Sequence, residues 1–217
     1  MSKENILNKL KKSVLNYDGE SAKEAAKEAL EAGIDPIEAI QQGLYPGLKE
    51  LCDEYERTVY ITDMVLASDA FYEGANVLKS NITPEKAKSR KKGVAIIGVS
   101  EGDVHDLGKN IVKYLMEAEG FEMIDLGFDV KVDKFIEEAE KQNADLIMIS
   151  LMLSSMFPEI GKLVNSAKDK GLKNKGVKIM AGGGPVTEEV AKQYGADGWA
   201  LTAPEAVKKA LELLNKD

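Results

Sequence analysis

The strongest constraint on this chain lies in its second half, where short apolar runs alternate with amphipathic stretches. Gly93 to Val99 is followed by helical spacing from Leu107 to Ala118, Phe121 to Leu126 by Val132 to Gln142, and Asp145 to Leu151 by Glu159 to Lys170. Val177 to Ala181 then precedes a helix over Thr187 to Tyr194, and Asp197 to Leu201 precedes a last one over Pro204 to Leu214. Runs that are apolar on both faces and separated by helices belong to a parallel sheet covered on both sides. The expected fold class is therefore α/β, with an N-terminal helical bundle followed by a doubly wound, flavodoxin-like (Rossmann-like) five-stranded parallel sheet. Sheets of this kind bind ligands beyond the carboxyl ends of their strands.

The first half has a different period. Ile6, Leu7, Leu10, Val14 and Leu15 recur at helical spacing, as do Ala22, Ala25, Ala26, Ala29 and Leu30. Asp18-Gly19 is read as the end of the first helix, Asp35 as an N-cap with Pro36 at the first helical position, and Pro46-Gly47 as a further break. A longer helix is predicted from Ile61 to Leu78, giving a bundle of four or five helices. The basic, Pro84-containing stretch from about 81 to 92 reads as a linker, so the helical domain is placed at 1–85 and the sheet domain at 92–217.

Charge and cysteine content narrow the function. Lys and Arg number 29 against 37 Asp and Glu, a net charge of −8 that disfavours nucleic acid, whose binding needs a concentrated basic face. The N-terminus enters charged helical sequence with no signal-peptide core, and no apolar run reaches membrane-spanning length. Cys52 is the only cysteine, so no internal disulfide forms, and it reads as a helix-face residue. A cytoplasmic protein with a small ligand or protein partners is expected.

After the first predicted strand the chain reads Val99-Ser100-Glu101-Gly102-Asp103-Val104-His105-Asp106-Leu107-Gly108-Lys109-Asn110, and His105 is the only histidine. A lone histidine is most often structural or merely exposed. Here it stands where an open sheet binds ligands, two residues after a carboxylate. A metal-binding imidazole typically gives its other N–H to a carboxylate, and Asp103 is the candidate for that role. Gly108, just inside the next helix, permits close approach to the backbone. One imidazole cannot hold a bare transition metal, so a metal bound here must bring most of its own ligands, as in a macrocycle. A dinucleotide fingerprint is excluded by the spacing of Gly98, Gly102 and Gly108, and a phosphate loop by the five residues between Gly102 and Gly108 and by Asn110 in place of Ser or Thr.

The Asp103-Val104-His105-Asp106-Leu107-Gly108 stretch resembles the DxHxxG signature of the cobalamin-binding domain found in methionine synthase, corrinoid methyl-carrier proteins and some mutases. The family's SxL motif is matched by Ser150-Leu151-Met152, with Met152 in place of Leu, and its glycine motif by Gly182-Gly183-Gly184. The resemblance implies that a cobalamin or related corrinoid binds with His105 as lower ligand to cobalt and its nucleotide tail buried against the sheet. Asp103, Asp106, Gly108, Ser150, Met152, Ser154 and Gly182 to Gly184 are then the cofactor-binding residues. Ser150 is suited to hydrogen-bond the buried base, and the glycines to let a flat nucleotide lie on backbone. Methionine synthase adds a serine to the histidine and aspartate; a gapless match puts Met156 there, with Ser155 adjacent, and the third member stays open.

A helical domain before such a sheet is similar to the arrangement of stand-alone corrinoid proteins in anaerobic methyl-transfer systems. The resemblance implies that the helical domain caps the corrin, with Met64, Val65, Ala67, Ser68 and Phe71 as the residues to face it, although each also suits a bundle core. It implies a methyl carrier without catalytic residues of its own, working between a substrate-specific methyltransferase and a second methyltransferase acting on a thiol or tetrahydropterin, with a reductive activating protein. Methoxylated aromatics (O-demethylation), methylamines and methanol are all open as donors. The alternative is a cobalamin-dependent sensor or regulator, for which the acidic balance offers no DNA-binding face. A receiver-like signalling domain would need a phosphoacceptor at a strand end, and Asp103 is too far into its loop.

Overall fold

A computed structural model describes residues 2–54, 61–81 and 92–215. The chain divides into two compact units, Met1–Ser89 and Arg90–Asp217. Residues 82–91 of the expected linker lie outside the described residues.

The first unit is helical: α1 (Lys3–Leu15), α2 (Gly19–Glu31), α3 (Pro36–Ala39), α4 (Tyr45–Glu54) and α5 (Ile61–Lys79). Ser2, Asp18 and Asp35 cap the first three, each accepting a main-chain N–H of the first turn. Asp18-Gly19 therefore opens α2 rather than closing α1. The core joins Ile6, Leu10 and Val14 of α1, the alanine face Ala22, Ala25, Ala26 and Ala29 of α2, and Ala67, Ala70, Phe71, Ala75 and Leu78 of α5.

The break expected at Pro46-Gly47 does not occur. Helical backbone continues from Pro36 to Glu54 through a wider π turn at Ile40–Leu44, where the Tyr45 N–H reaches back to the Ile40 carbonyl. The extra residue of that turn shifts the carbonyl register ahead of Pro46, whose ring would otherwise collide with the preceding turn. Gly47 is a packing residue: a Cβ there would stand 2.6 Å from the Lys11 carbonyl oxygen of α1.

The second unit alternates β1 (Gly93–Val99), α6 (Leu107–Glu119), β2 (Phe121–Asp125), α7 (Val132–Gln142), β3 (Leu146–Ser150), α8 (Phe157–Asp169), β4 (Lys178–Gly182), α9 (Glu188–Gln193), β5 (Gly198–Trp199) and α10 (Ala203–Leu214). All five strands are parallel, in the order β2-β1-β3-β4-β5. Every residue of β1 is buried, as the continuous apolar run requires. Alternation across the pleat sends Val94, Ile96, Ile147 and Ile149 into one core layer with Phe135 and Ile136 of α7 and Ile160, Leu163 and Val164 of α8. Helices end where the left-handed conformation is supplied by Gly120, Asn143 and Asn215. Because β1 has β2 on one side and β3 on the other, the chain reverses direction across the sheet between β1 and β3. That reversal opens a crevice at their carboxyl ends.

Candidate corrinoid-binding site

Strand register draws three distant segments onto one line. Val99 of β1 pairs with Ser150 of β3, which pairs with Gly182 of β4, so the DxHxxG stretch, the serine motif and the glycine motif all leave the sheet at the same level. Adjacent strands are about 4.8 Å apart, which places the three exits within reach of one ligand.

Asp103 and His105 lie in the loop between β1 and α6. Asp103 is 2 % exposed, whereas the His105 side chain is 57 % exposed. Asp103 Oδ1 accepts both the His105 main-chain N–H at 3.0 Å and His105 Nδ1 at 2.7 Å. Its Oδ2 accepts the Met152 N–H, from the loop after β3, at 2.6 Å. The carboxylate thus bridges the switch point. Burial pushes the Asp103 carboxyl up, but the donors from the His105 main chain, the His105 ring and the Met152 main chain outweigh it and hold the group below the usual carboxylate range. An ionised Asp103 keeps the ring proton on Nδ1, leaving the Nε2 lone pair for a ligand. The last oxygen of Asp103 is therefore held by main chain; Ser155 is exposed and Met156 packs under Gly102.

The other sequence-derived positions surround this pair. Asp106 is the half-buried residue before α6 and accepts from Asn110 Nδ2 at 3.0 Å. Ser150 ends β3, and its hydroxyl has no partner among the described residues. Met152 and Ser154 are exposed in the loop that follows. A Cβ built on Gly108 or Gly182 would meet nothing within 4 Å, so both leave open space over backbone. Gly183 is different: with φ 115°, its Cβ would stand 1.8 Å from the Leu151 carbonyl oxygen, so it makes room for β3's own continuation. Gly184 faces the Met152 thioether. Val104, Phe128, and Met152 with Leu153, all exposed large apolar residues, follow β1, β2 and β3 respectively at this end of the sheet and suit a broad apolar ligand.

Of the cap residues, Val65 is half exposed on α5, and Leu66, which sequence reasoning passed over, is equally so. Ala67, Ser68 and Phe71 are buried, as core positions are. The side chain of Met64 lies outside those described. Sequence reasoning also passed over Lys109, which is 3 % exposed and pairs with Asp125 Oδ1 at 2.6 Å, and Lys113, which pairs with Asp125 Oδ2 at 2.7 Å. The signal was available in the fold rule, since Asp125 ends β2, but no motif pointed to it.

Among the described residues no three His, Cys or acidic side chains come together to hold a metal ion, so a metal at His105 must arrive with its own equatorial ligands. Fold and site together suit the class of protein that takes a metal cofactor bringing its own macrocycle. A family model described as the B12 binding domain matches residues 93–208, and a second model of the same description matches residues 6–79. The chain belongs to this B12-binding family, and its cofactor is a cobalamin or related corrinoid. It is 38 % identical over 208 residues to a trimethylamine corrinoid protein of Methanosarcina acetivorans, covering 95 % of each chain. It is 39 % identical over 215 residues to a dimethylamine corrinoid protein of the same organism, covering 99 % of this chain and 100 % of the relative. Among solved structures it resembles the monomethylamine corrinoid protein of Methanosarcina barkeri, with 32 % identity, a TM-score of 0.72, and coverage of 98 % of this chain and 100 % of that one. It also resembles a chain of the methanol:cobalamin methyltransferase complex of Methanosarcina barkeri, with 26 % identity, a TM-score of 0.65, and coverage of 100 % and 82 %. No helix among the described residues is long and apolar enough to cross a membrane.

Proposed function

We propose that this protein carries a methyl group on its corrinoid from a methylamine-specific methyltransferase to a second methyltransferase acting on a thiol or tetrahydropterin. The observation that carries the reading is the Asp103–His105 pair in the loop that leaves the sheet at the row of Val99, Ser150 and Gly182. The names of the relatives matched along the chain favour a methylamine over methanol or a methoxylated aromatic as donor. The solved methyltransferase complex supports docking to a methyltransferase. A reductive activating protein would complete the partners, in a cytoplasmic setting.

When bound, the corrinoid supplies a cobalt able to accept and release a methyl group. The chain supplies the rest. His105 would offer Nε2 to the cobalt while Asp103 fixes the proton on Nδ1. Ser150 would offer its hydroxyl to the nucleotide tail, Gly108 and Gly182 would keep backbone clear for it, and Asp106, Met152, Ser154 and Gly184 would help to hold it. Val65 and Leu66 give the helical unit an exposed apolar surface of its own. His105 and its neighbours bind and orient, and methyl transfer is left to the partner enzymes.

The test is reconstitution with cobalamin followed by absorption spectroscopy. The His105→Gly variant is expected to retain cobalamin but show a shifted spectrum; an unchanged spectrum sinks the ligand assignment. Incubation with mono-, di- or trimethylamine and cell extract is then expected to methylate the holoprotein. Methylation by methanol or methoxylated aromatics alone would overturn the donor assignment.

A further inference from the structure

The loop bearing His105 is held from a strand other than its own. After β1 the chain turns through Gly102 at φ 81°, and within the loop the Asp103 N–H donates to the Ser100 carbonyl at 3.1 Å. Two further main-chain groups are taken by Asp129, in the connection between β2 and α7. Asp129 Oδ1 accepts the Gly102 N–H at 2.8 Å, and the Asp129 N–H donates to the Asp103 carbonyl at 3.0 Å. The connection is itself fixed along β1: Leu126 N–H donates to Ile97 O at 2.8 Å, Gly127 O accepts from Val99 N–H at 3.0 Å, and Val130 N–H donates to Val99 O at 3.0 Å.

Asp129 has φ 55°, in the left-handed region where side chains other than glycine are disfavoured and Asp or Asn are the better tolerated. Glycine would satisfy that backbone with less strain and could still donate its N–H. What only a side-chain acceptor adds is the bond to Gly102. Strain held at a residue that braces the His105 loop points to a function for that acceptor.

We propose that Asp129 is a positioning residue for His105: by clamping the main chain of Gly102 and Asp103 it sets the place of the Asp103 carboxylate, and through it the direction in which the imidazole presents Nε2. This rests on His105 being the lower ligand of the corrinoid. It goes further in tying that ligand to a residue of the neighbouring strand's loop.

Because His105 is the only histidine, its ring nitrogens give one unambiguous set of NMR signals in ¹⁵N-labelled full-length protein. The variants are Asp129→Gly, which removes the acceptor and relieves φ, and Asp129→Asn, which keeps an acceptor. Each is examined without cofactor by imidazole NMR, and after loading with cobalamin reduced to the Co(II) state by electron paramagnetic resonance. There, a ¹⁵N ligand from the protein splits each cobalt line in two, and the cofactor's own ¹⁴N base splits it in three. Wild type and Asp129→Asn are expected to show the two-line pattern and one set of Nδ1-protonated imidazole signals. In Asp129→Gly, thermal stability stays close to wild type while the ratio of protein-ligated to unligated cobalt falls about tenfold, the equilibrium worth of one charge-assisted hydrogen bond.

Wild-type splitting and wild-type imidazole signals in Asp129→Gly overturn the proposal. So does an equal collapse of stability and signals in both variants, which would mark a merely structural residue. If wild type itself lacks the two-line pattern, the ligand reading fails, and the cofactor-free imidazole signals then decide positioning alone: unchanged signals in Asp129→Gly refute it, and a changed tautomer population or line broadening supports it.

Discussion

Replacing Asp103 by Asn tests the buried carboxylate with almost no change in shape. Asp103 accepts three hydrogen bonds, two on Oδ1 from the His105 main chain and ring and one on Oδ2 from the Met152 N–H. An amide has one acceptor oxygen and a donating NH₂. If the oxygen stays with His105, the NH₂ faces the Met152 N–H, donor against donor, where the native distance is 2.6 Å. If it turns to Met152, the His105 N–H loses its acceptor and the ring must accept a hydrogen bond at an unprotonated Nδ1 rather than donate one. Either way a main-chain N–H beside a nearly sealed group is orphaned, at about 1–3 kcal/mol, and the surviving bonds lose their charge assistance. A total loss of about 2–3 kcal/mol follows, or roughly 6–15 °C in the melting temperature of a unit the size of Arg90–Asp217. Urea denaturation gives the free energy, and imidazole NMR of the single histidine gives the tautomer, with the Nδ1-protonated population expected to fall. A loss below about 0.5 kcal/mol with an unchanged tautomer would refute the claim that one carboxylate holds both the loop and the ring.

The glycines of the site should separate by role. Gly183→Ala places a Cβ 1.8 Å from the Leu151 oxygen at a positive φ, so a loss of about 4 kcal/mol or more, seen as a collapsed melting transition, is expected, and a wild-type transition would contradict it. Gly108→Ala and Gly182→Ala meet nothing within 4 Å, so both should stay within about 1 kcal/mol of wild type yet retain less cobalamin after gel filtration. The Asp125 ion pairs set an acid limit: burial raises the Asp125 carboxyl, but Lys109, Lys113 and the Gly127 N–H outweigh it and bring it from 3.8 to about 2. A depressed folded-state value means stabilisation that is complete above the unfolded pKa and is lost as pH falls toward the folded one. Asp125→Asn should therefore cost about 1–3 kcal/mol at pH 7, with the gap to wild type narrowing from about pH 4 downward in urea denaturation; a gap independent of pH would count against the pairs.

Much of this was legible because parallel strands announce themselves. The run Gly93–Val99 and the helix Val132–Gln142 appear in the structure with the boundaries their periodicity predicts, since a strand buried on both faces and a helix with one apolar stripe leave different marks. Pro46 misled because a π turn is a hydrogen-bond event with no compositional signature: local rules see a proline and a glycine, whereas the register shift and the nearby Lys11 carbonyl belong to the tertiary structure. At the site, Asp103, His105, Ser150 and Gly182 were readable as types in a pattern. The partners that hold them were not. Met152 acts through its main-chain N–H, which any residue but proline would supply, so its place on Asp103 left no trace in the sequence. Asp129 is one acid among 37 Asp and Glu, and only its left-handed φ and its bond to Gly102 single it out.

These partners explain how a single imidazole is held ready for the ligand role proposed for it. A histidine on an exposed loop has rotamer freedom that ligation must suppress, and the cost falls on cofactor affinity unless the free protein has already met it. Here the ring is tied to a carboxylate with almost no exposure, that carboxylate is tied to the loop after β3, and the loop's own main chain is tied to the connection after β2. The two flanking connections belong to the strands on either side of β1, the neighbours that the order β2-β1-β3 provides. The switch point therefore does more than open a crevice: it puts two supports beside the loop that fills it, and an edge strand, with one neighbour, could offer only one. On this argument, severing the Asp129 tie should free the imidazole by a part, and an Asp103→Asn and Asp129→Gly double variant should cost less in ligation than the sum of the single changes, because Asp129 acts on the ring through the Asp103 carboxylate.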